Sequence, residues 1–154
     1  MKVLSIDQSF SNCGVIVWEN GLIYDYFVIQ TNKESDDVVR LAHIVDSLAE
    51  TIKQESIEEV VIEGLSMGSV STSARTLAGL FYSIKLLCFY HNITFYEVPP
   101  TSVKKFATGS GRADKKAMWK ALPNNIADKF EKSHKTISSG RYDLTDAYFI
   151  GKYY

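Results

Sequence analysis

Residues 1–30 read MKVLSIDQSFSNCGVIVWENGLIYDYFVIQ and contain three short runs of apolar, β-prone residues. The runs cover residues 3–6, 13–18 and 22–29. The last two are joined through Asn20-Gly21, the strongest local signal for a tight hairpin because both residues tolerate positive φ. The sequence therefore predicts that the chain opens with three strands in an antiparallel meander.

Helical and strand patterns then alternate. Apolar residues recur at helical spacing between residues 38 and 52, and again between residues 77 and 88. Between these two stretches, residues 60–62 form a continuous apolar run that is typical of a strand covered on both faces. Residues 93–98 predict a fifth strand, which ends at Pro99-Pro100 because proline cannot donate to a sheet.

The last third of the chain is mostly polar. We expect a glycine-containing turn at residues 108–111, a short helix at 113–122, a polar stretch at 123–141 and a final helix from 143 to 154. The element order β-β-β-α-β-α-β-α-α predicts an α/β fold, a five-stranded mixed sheet with helices on both faces. A length of 154 residues fits one domain, spanning residues 1–154.

Composition excludes several classes of protein. A hydrophobic fraction of 45% is ordinary for a globular chain and argues against disorder. The two cysteines have no metal-binding or redox spacing, which favours small buried thiols. The apolar stretch at 77–90 is too short for a membrane span, and the charge of Asp7 interrupts any signal-peptide core. We therefore expect a cytoplasmic protein without a membrane partner.

The net charge of −1 conceals a strong asymmetry. Residues 98–142 contain ten Lys and Arg against three Asp and Glu, whereas residues 1–97 contain six against thirteen. A basic block of this kind is expected for a protein that binds a polyanion, although a solvated helical surface explains the charge alone equally well.

Four acidic residues occupy unusual positions. Asp7 ends the first predicted strand and Glu63 ends the buried fourth strand. If these strands are parallel neighbours, both carboxylates emerge at the carboxyl edge of the sheet, where α/β folds place their ligands. Asp143 and Asp146 share one face of the final helix because they are three residues apart. We expect this face to cover the same edge.

Carboxylates gathered in this way repel one another unless a cation lies between them. Oxygen ligands without Cys or His partners favour Mg²⁺ or Mn²⁺ over zinc. Two such ions about 4 Å apart activate a water and stabilise the leaving oxygen of a phosphodiester. Each acid alone is better explained as a cap or a surface charge, but together they favour a metal site.

These segments resemble the RuvC-type Holliday junction resolvases of the RNase H-like superfamily. The acidic part of the resemblance lies in residues 5–9 (SIDQS), Gly14, residues 61–63 (VIE) and residues 143–147 (DLTDA). Residues 103–109 (VKKFATG) and 111–115 (GRADK) resemble the basic DNA-contacting segment of that family. The match follows the family's order over nearly the whole chain, and the short length is most similar to compact phage-borne members.

The resemblance implies a homodimer that binds a four-way DNA junction and nicks two strands symmetrically, leaving 5′-phosphate ends. Asp7, Glu63, Asp143 and Asp146 would be the metal-binding catalytic acids, with Asp7 bridging two Mg²⁺ ions. Glu63 and Asp146 would hold one ion each, and Asp143 would complete the shell or orient the water. Contacts to the DNA backbone would come from Lys104 and Lys115, supported by Lys105, Arg112 and Lys116.

In two places the sequence departs from the family pattern: residues 123–141 have no clear counterpart in the family, and the segment after the second acid lacks an aromatic residue. Members often carry an aromatic wedge a few residues after the second acid, and residues 64–68 read GLSMG here. Met67 is the candidate for that role, which leaves sequence-selective cleavage open.

Three other functions stay open at this stage. Residues 7–14 (DQSFSNCG) also resemble the first phosphate loop of actin-like sugar kinases. Those enzymes need a second lobe of comparable size, so we expect no nucleotide cofactor. A related nuclease that cuts flaps or other branched DNA, and a catalytically silent junction-binding module, are the remaining alternatives.

Overall fold

The computed structural model describes residues 1–66 and 71–154. Within these ranges five strands form one mixed sheet in the order β3-β2-β1-β4-β5. β1 pairs antiparallel with β2, and β2 with β3, whereas β1–β4 and β4–β5 are parallel pairs. This confirms the predicted fold class. The strands are β1 (Lys2–Asp7), β2 (Asn12–Glu19), β3 (Leu22–Gln30), β4 (Glu59–Glu63) and β5 (Thr94–Val98).

The hairpin between β2 and β3 forms at the predicted place. Asn20 and Gly21 both have positive φ, of 52° and 79°. Glu19 faces Leu22 across the turn, so the two central residues are those that the sequence singles out. This hairpin sets the register of β3 against β2.

Helices cover both faces of the sheet. On one face, Leu4 and Ile6 pack with Ile44, Leu48 and Leu80. On the other face, Val3 and Ile16 belong to a second apolar cluster with residues of the last helix. The first face is covered by α1 (Asp37–Glu55) and α2 (Thr72–Tyr90), and the second by α3 (Pro100–Thr108), α4 (Lys115–Ala121), α5 (Asn124–Ser133) and α6 (Arg141–Tyr153).

Two of these helices were not predicted from the sequence. α3 begins directly after the proline pair, because Pro100 suits the first turn of a helix, where its missing N–H is not needed. α5 lies in the stretch that was expected to be irregular, and Phe130 is its one fully buried side chain. α6 begins at Arg141 rather than at residue 143, directly after Gly140, whose φ is +99°.

The last helix is held tightly against β1 and β2. The Ser5 hydroxyl donates to the carbonyl of Ala147 over 2.7 Å and accepts from the indole N–H of Trp18 over 2.8 Å. Near the start of α6, a Cβ at Gly14 would lie 2.4 Å from the carbonyl oxygen of Asp143. Only a glycine permits this approach, so the first turns of α6 lie beside the carboxyl end of β1. In the described part of the chain, no helix combines the length and apolarity needed to cross a membrane.

Candidate active site

The carboxyl ends of β1 and β4 lie side by side. Their parallel pairing runs from Val3 opposite Glu59 to Ile6 opposite Ile62. Asp7 and Glu63 each directly follow the last residue of this β1–β4 pairing, so both emerge at the same edge of the sheet. The sequence prediction that these two strands are parallel neighbours is therefore confirmed.

The final helix brings its aspartates to this edge. Asp146 lines a cavity of about 270 Å³ together with Asp7 and Glu63. Asp143 does not line the cavity, but it lies close enough for its charge to raise the pKa of Asp7. The structure thus gathers four acidic residues from three segments that are far apart in the sequence.

Asp7 is the most deeply buried of the four acids, with an exposed fraction of 8%. Its pKa lies well above the ordinary value, first because burial disfavours the charged form and then because of the charge on Asp146. The negative charges of Asp143 and Glu63 add to this increase, and the Lys115 ammonium opposes it. An additional cation here would offset the cost of burying the Asp7 carboxylate and reduce its repulsion by the neighbouring carboxylates.

Glu63 and Asp143 show the same tendency. Burial raises the pKa of Glu63, and the charge on Asp146 raises it further. Burial likewise raises the pKa of Asp143, while the nearby Lys115 lowers it. The carboxylates therefore share one electrostatic environment.

Lys115 supplies positive charge inside this cluster. Its Nζ lies 2.6 Å from Oδ2 of Asp146. Burial by itself lowers the pKa of Lys115, but the charges of Asp146 and Asp7 outweigh it, so the pKa is raised overall. Lys115, for which the family resemblance implies a contact to the DNA backbone, thus lies against the acids.

The other predicted DNA-contacting residues lie on α3, on α4 and on the loop between them. Lys104 lines the same cavity as Asp7 and Glu63 and lowers the pKa of Glu63. Lys105, Arg112 and Lys116 are exposed to solvent and do not line the cavity. The structure therefore separates the lysines at the cavity from the basic residues of the surrounding surface.

The residues present suit a hard divalent cation, although their side chains are not arranged as a finished site. Among residues 1–66 and 71–154, no three His, Cys, Asp and Glu side chains have the spacing of metal ligands. Instead, an ammonium group lies among the carboxylates. Carboxylate oxygens are the donors that Mg²⁺ and Mn²⁺ prefer. The pKa of Asp7 is raised first by burial and then by the charge on Asp146, and a divalent ion would favour its charged form against both.

Gln8 lies at the same edge of the sheet, and its role was not predicted from the sequence. Gln8 directly follows Asp7, and its side-chain amide donates to the backbone carbonyl of Glu63 over 3.0 Å. A local pattern does not reveal this bond because it depends on the parallel pairing of β1 with β4. Met67, the candidate wedge, lies outside the described residues.

The sheet order and the position of the acids together define a class of protein. The chain has an RNase H-like fold with acidic residues at the ends of its first and fourth strands and on its last helix. This is the class that the sequence predicts.

Comparison with known proteins identifies the family. The family described as crossover junction endodeoxyribonuclease RuvC matches residues 3–132, and this chain belongs to it. The protein of that name from Caldicellulosiruptor saccharolyticus is 34% identical over 144 residues, covering 83% of this chain and 87% of the relative. The namesake from Brachyspira hyodysenteriae is 34% identical over 126 residues, covering 79% of each protein.

Solved structures support the same fold. The Thermus thermophilus RuvC, in complex with a Holliday junction substrate, aligns with a TM-score of 0.66 and 18% identity, covering 99% of this chain and 96% of that one. The yeast mitochondrial Holliday junction resolvase aligns with a TM-score of 0.68 and 14% identity, covering 97% of this chain and 75% of that one.

Proposed function

We propose that this chain is an endodeoxyribonuclease that resolves four-way DNA junctions by metal-dependent hydrolysis of phosphodiester bonds, with residues 1–154 acting as one nuclease unit. The observation that carries the proposal is the single cavity where Asp7, Glu63 and Asp146 meet Lys104 and Lys115. Membership of the crossover junction endodeoxyribonuclease family supports it. A junction substrate in the structure of the Thermus relative is consistent with it.

We assign the cofactor as two Mg²⁺ ions, for which Mn²⁺ can substitute. Asp7, Glu63, Asp143 and Asp146 would hold them. When bound, the ions supply an activated water and stabilise the leaving 3′-oxygen of the scissile phosphodiester, which leaves a 5′-phosphate end.

The basic side chains divide into two groups. Lys104 and Lys115 lie at the cavity, where an ammonium group orients the scissile phosphate as a point charge without reading the bases. Before DNA and metal arrive, Lys115 balances the negative charge of Asp146. Lys105, Arg112 and Lys116 contact the backbone farther away and add salt-dependent affinity by counterion release.

Symmetric cleavage of two strands requires two active sites, and we propose that a homodimer provides them. The structure divides the aromatic residues of α2 into two groups: Phe81 is buried in the core, whereas Phe89 and Tyr90 are exposed. Tyr82 and Leu86 are exposed as well. This apolar side of α2 suits a second copy of the chain.

The dimer is tested by measuring the mass in solution. We expect Phe89→Glu to convert a dimer into a monomer, because it places a charge in the proposed contact. Phe106→Glu, at an exposed aromatic residue on α3, serves as the matched control and should leave the dimer intact. Equal masses for both variants would contradict the proposed surface.

The activity is tested with a mobile four-way junction, incubated with and without Mg²⁺, and with cut positions mapped on all four strands. We expect paired cuts at equivalent positions in opposite strands, only with the metal present, and ligatable 5′-phosphate ends. Flap and linear duplex substrates are run beside it. Preferred cutting of flaps would favour the broader branched-DNA nuclease, and absence of any cut would favour a silent binding module.

A further inference from the structure

The side chain of Gln8 connects the two strands that carry the first two acids. The backbone pairing of β1 with β4 ends at Ile6 opposite Ile62. Beyond that point, the Gln8 amide donates to the carbonyl oxygen of Glu63 over 3.0 Å and so supplies the next cross-strand hydrogen bond. Gln8 is thus joined to Asp7 through the chain and to the Glu63 backbone through its side-chain hydrogen bond.

The loop that begins at Gln8 is fixed from its far side. The Arg40 guanidinium donates to the carbonyl of Phe10 over 3.1 Å and to the hydroxyl of Thr31 over 2.9 Å. The Thr31 hydroxyl also donates to the carbonyl of Phe10. Because α1 anchors this loop, Gln8 has a defined position when it reaches across to β4.

Fold stability alone does not explain a glutamine at this position. Gln8 is 8% exposed, and its Oε1 is buried without a hydrogen-bond partner among the described residues. A buried acceptor left unpaired destabilises a fold, so an apolar side chain of equal length would serve packing at least as well. The amide therefore contributes chiefly through its single bond to the Glu63 carbonyl.

We propose that Gln8 is a positioning residue that sets the separation of the Asp7 and Glu63 carboxylates for divalent-ion binding. This inference rests on the proposed function, because it assumes that both acids hold the metal. Gln8 acts through the backbone of Glu63 and does not touch the ion. Its removal loosens the carboxyl end of β4 relative to β1, where the backbone ladder has already ended.

The test measures Mn²⁺ binding to the DNA-free protein by calorimetry, together with thermal unfolding without metal. Gln8→Met keeps the length and the packing but removes the donor. We expect about tenfold weaker Mn²⁺ binding, the size found when a group that orients metal ligands is lost. The metal-free unfolding temperature and the junction affinity without metal should stay at wild-type values, while the cleavage rate at saturating junction falls.

Three further variants make the result decisive. Gln54→Met removes an exposed glutamine amide on α1, which donates to Glu50 of the same helix, and this variant should bind Mn²⁺ like the wild type. Asp7→Asn should lose Mn²⁺ binding. Gln8→Asn retains an amide but is too short to reach Glu63, so it should bind Mn²⁺ as weakly as Gln8→Met. If Gln8→Met is unstable, Mn²⁺ binding by Gln8→Asn is measured at a temperature where that variant is folded, and this measurement tests the role of Gln8.

The outcomes separate this inference from the proposed function. Wild-type Mn²⁺ binding by Gln8→Met and Gln8→Asn, with binding lost in Asp7→Asn, would overturn the role of Gln8 and leave the metal site intact. Unchanged binding in Asp7→Asn would overturn the metal site itself. Weaker junction binding by Gln8→Met with unchanged Mn²⁺ affinity would make Gln8 a DNA contact instead.

Discussion

Both ends of the parallel strands β1 and β4 carry acidic residues, but their surroundings differ. At the amino ends, Glu55 pairs with the Lys2 ammonium over 2.7 Å, and Glu58 accepts from the Lys2 backbone N–H over 3.0 Å. Glu59 accepts from the hydroxyl of Tyr154. Each of these carboxylates thus has a hydrogen-bond or ion-pair partner near the protein surface.

At the carboxyl ends the acids are packed against one another. Asp7 is buried, and burial together with the charge on Asp146 keeps its pKa well above the ordinary value. At the carboxyl ends four carboxylates share the positive charges of Lys104 and Lys115, whereas at the amino ends each of the three carboxylates has a partner of its own. This difference supports the proposal that the carboxyl end receives a cation.

The largest expected effect comes from removing one buried carboxylate. Asp7→Asn should abolish junction cleavage while preserving junction binding, because it removes a proposed metal ligand and leaves the lysines in place. The measurement is cleavage in Mg²⁺ and a gel-shift titration without metal. Glu58→Gln, at the opposite end of the strands, is the matched control and should cleave like the wild type. Loss of binding in Asp7→Asn would count against its assigned role.

A change at Gly14 tests how closely α6 must approach the acids. Gly14→Ala places a Cβ 2.4 Å from the Asp143 carbonyl oxygen and should lower the free energy of unfolding by about 1–3 kcal/mol. Cleavage should fall as well, because the aspartates of α6 move away from Asp7. In Gly79→Ala on α2, the new Cβ lies more than 4 Å from every described atom outside its chain neighbours and its own helix backbone, so this variant should stabilise the protein by about 0.5–1 kcal/mol. Denaturant unfolding of both variants checks this, and equal stabilities would contradict the packing.

The pH dependence of stability should report on the acids at the carboxyl end. Since folding raises the pKa of Asp7, Glu63 and Asp143, their protonated forms favour the folded state. Their contribution is complete below the ordinary values of 3.8 for Asp and 4.5 for Glu and is lost as the pH rises through the folded-state values. Urea unfolding of the metal-free protein between about pH 4 and 7 should show this decline, and Mg²⁺ should reduce it at the upper end. A flat profile would argue against a close cluster.

The smallest effect concerns DNA affinity rather than chemistry. Lys115→Ala should weaken junction binding equally for all DNA sequences and reduce the slope of log affinity against log salt by about one unit. Lys53→Ala, an exposed residue in the last turn of α1, is the control outside the basic block and should leave the slope unchanged. An unaltered slope for Lys115→Ala would mean that this lysine serves only the carboxylates.

The sequence predicts the parts of this molecule that local patterns encode. Alternation and turn residues define the hairpin around Asn20-Gly21, and the apolar runs before Asp7 and Glu63 define the strands that bring these acids together. α5 is not predicted because Phe130 is its one fully buried residue, so its sequence shows no long run of apolar residues at helical spacing. Local patterns also cannot predict two contacts of the site, because each joins segments that are distant in the sequence. These are the ion pair of Lys115 with Asp146 and the hydrogen bond from Gln8 to Glu63.

The central claim is that the carboxyl ends of β1 and β4 and the start of α6 form a divalent-cation site. Crystals grown with Mn²⁺ allow a direct test by anomalous scattering. The account predicts peaks within ligand distance of Asp7, Glu63 and Asp146, with the Lys115 ammonium displaced from Asp146. Peaks confined to the amino-end acids Glu55, Glu58 and Glu59, or no peak beside Asp7, would contradict it.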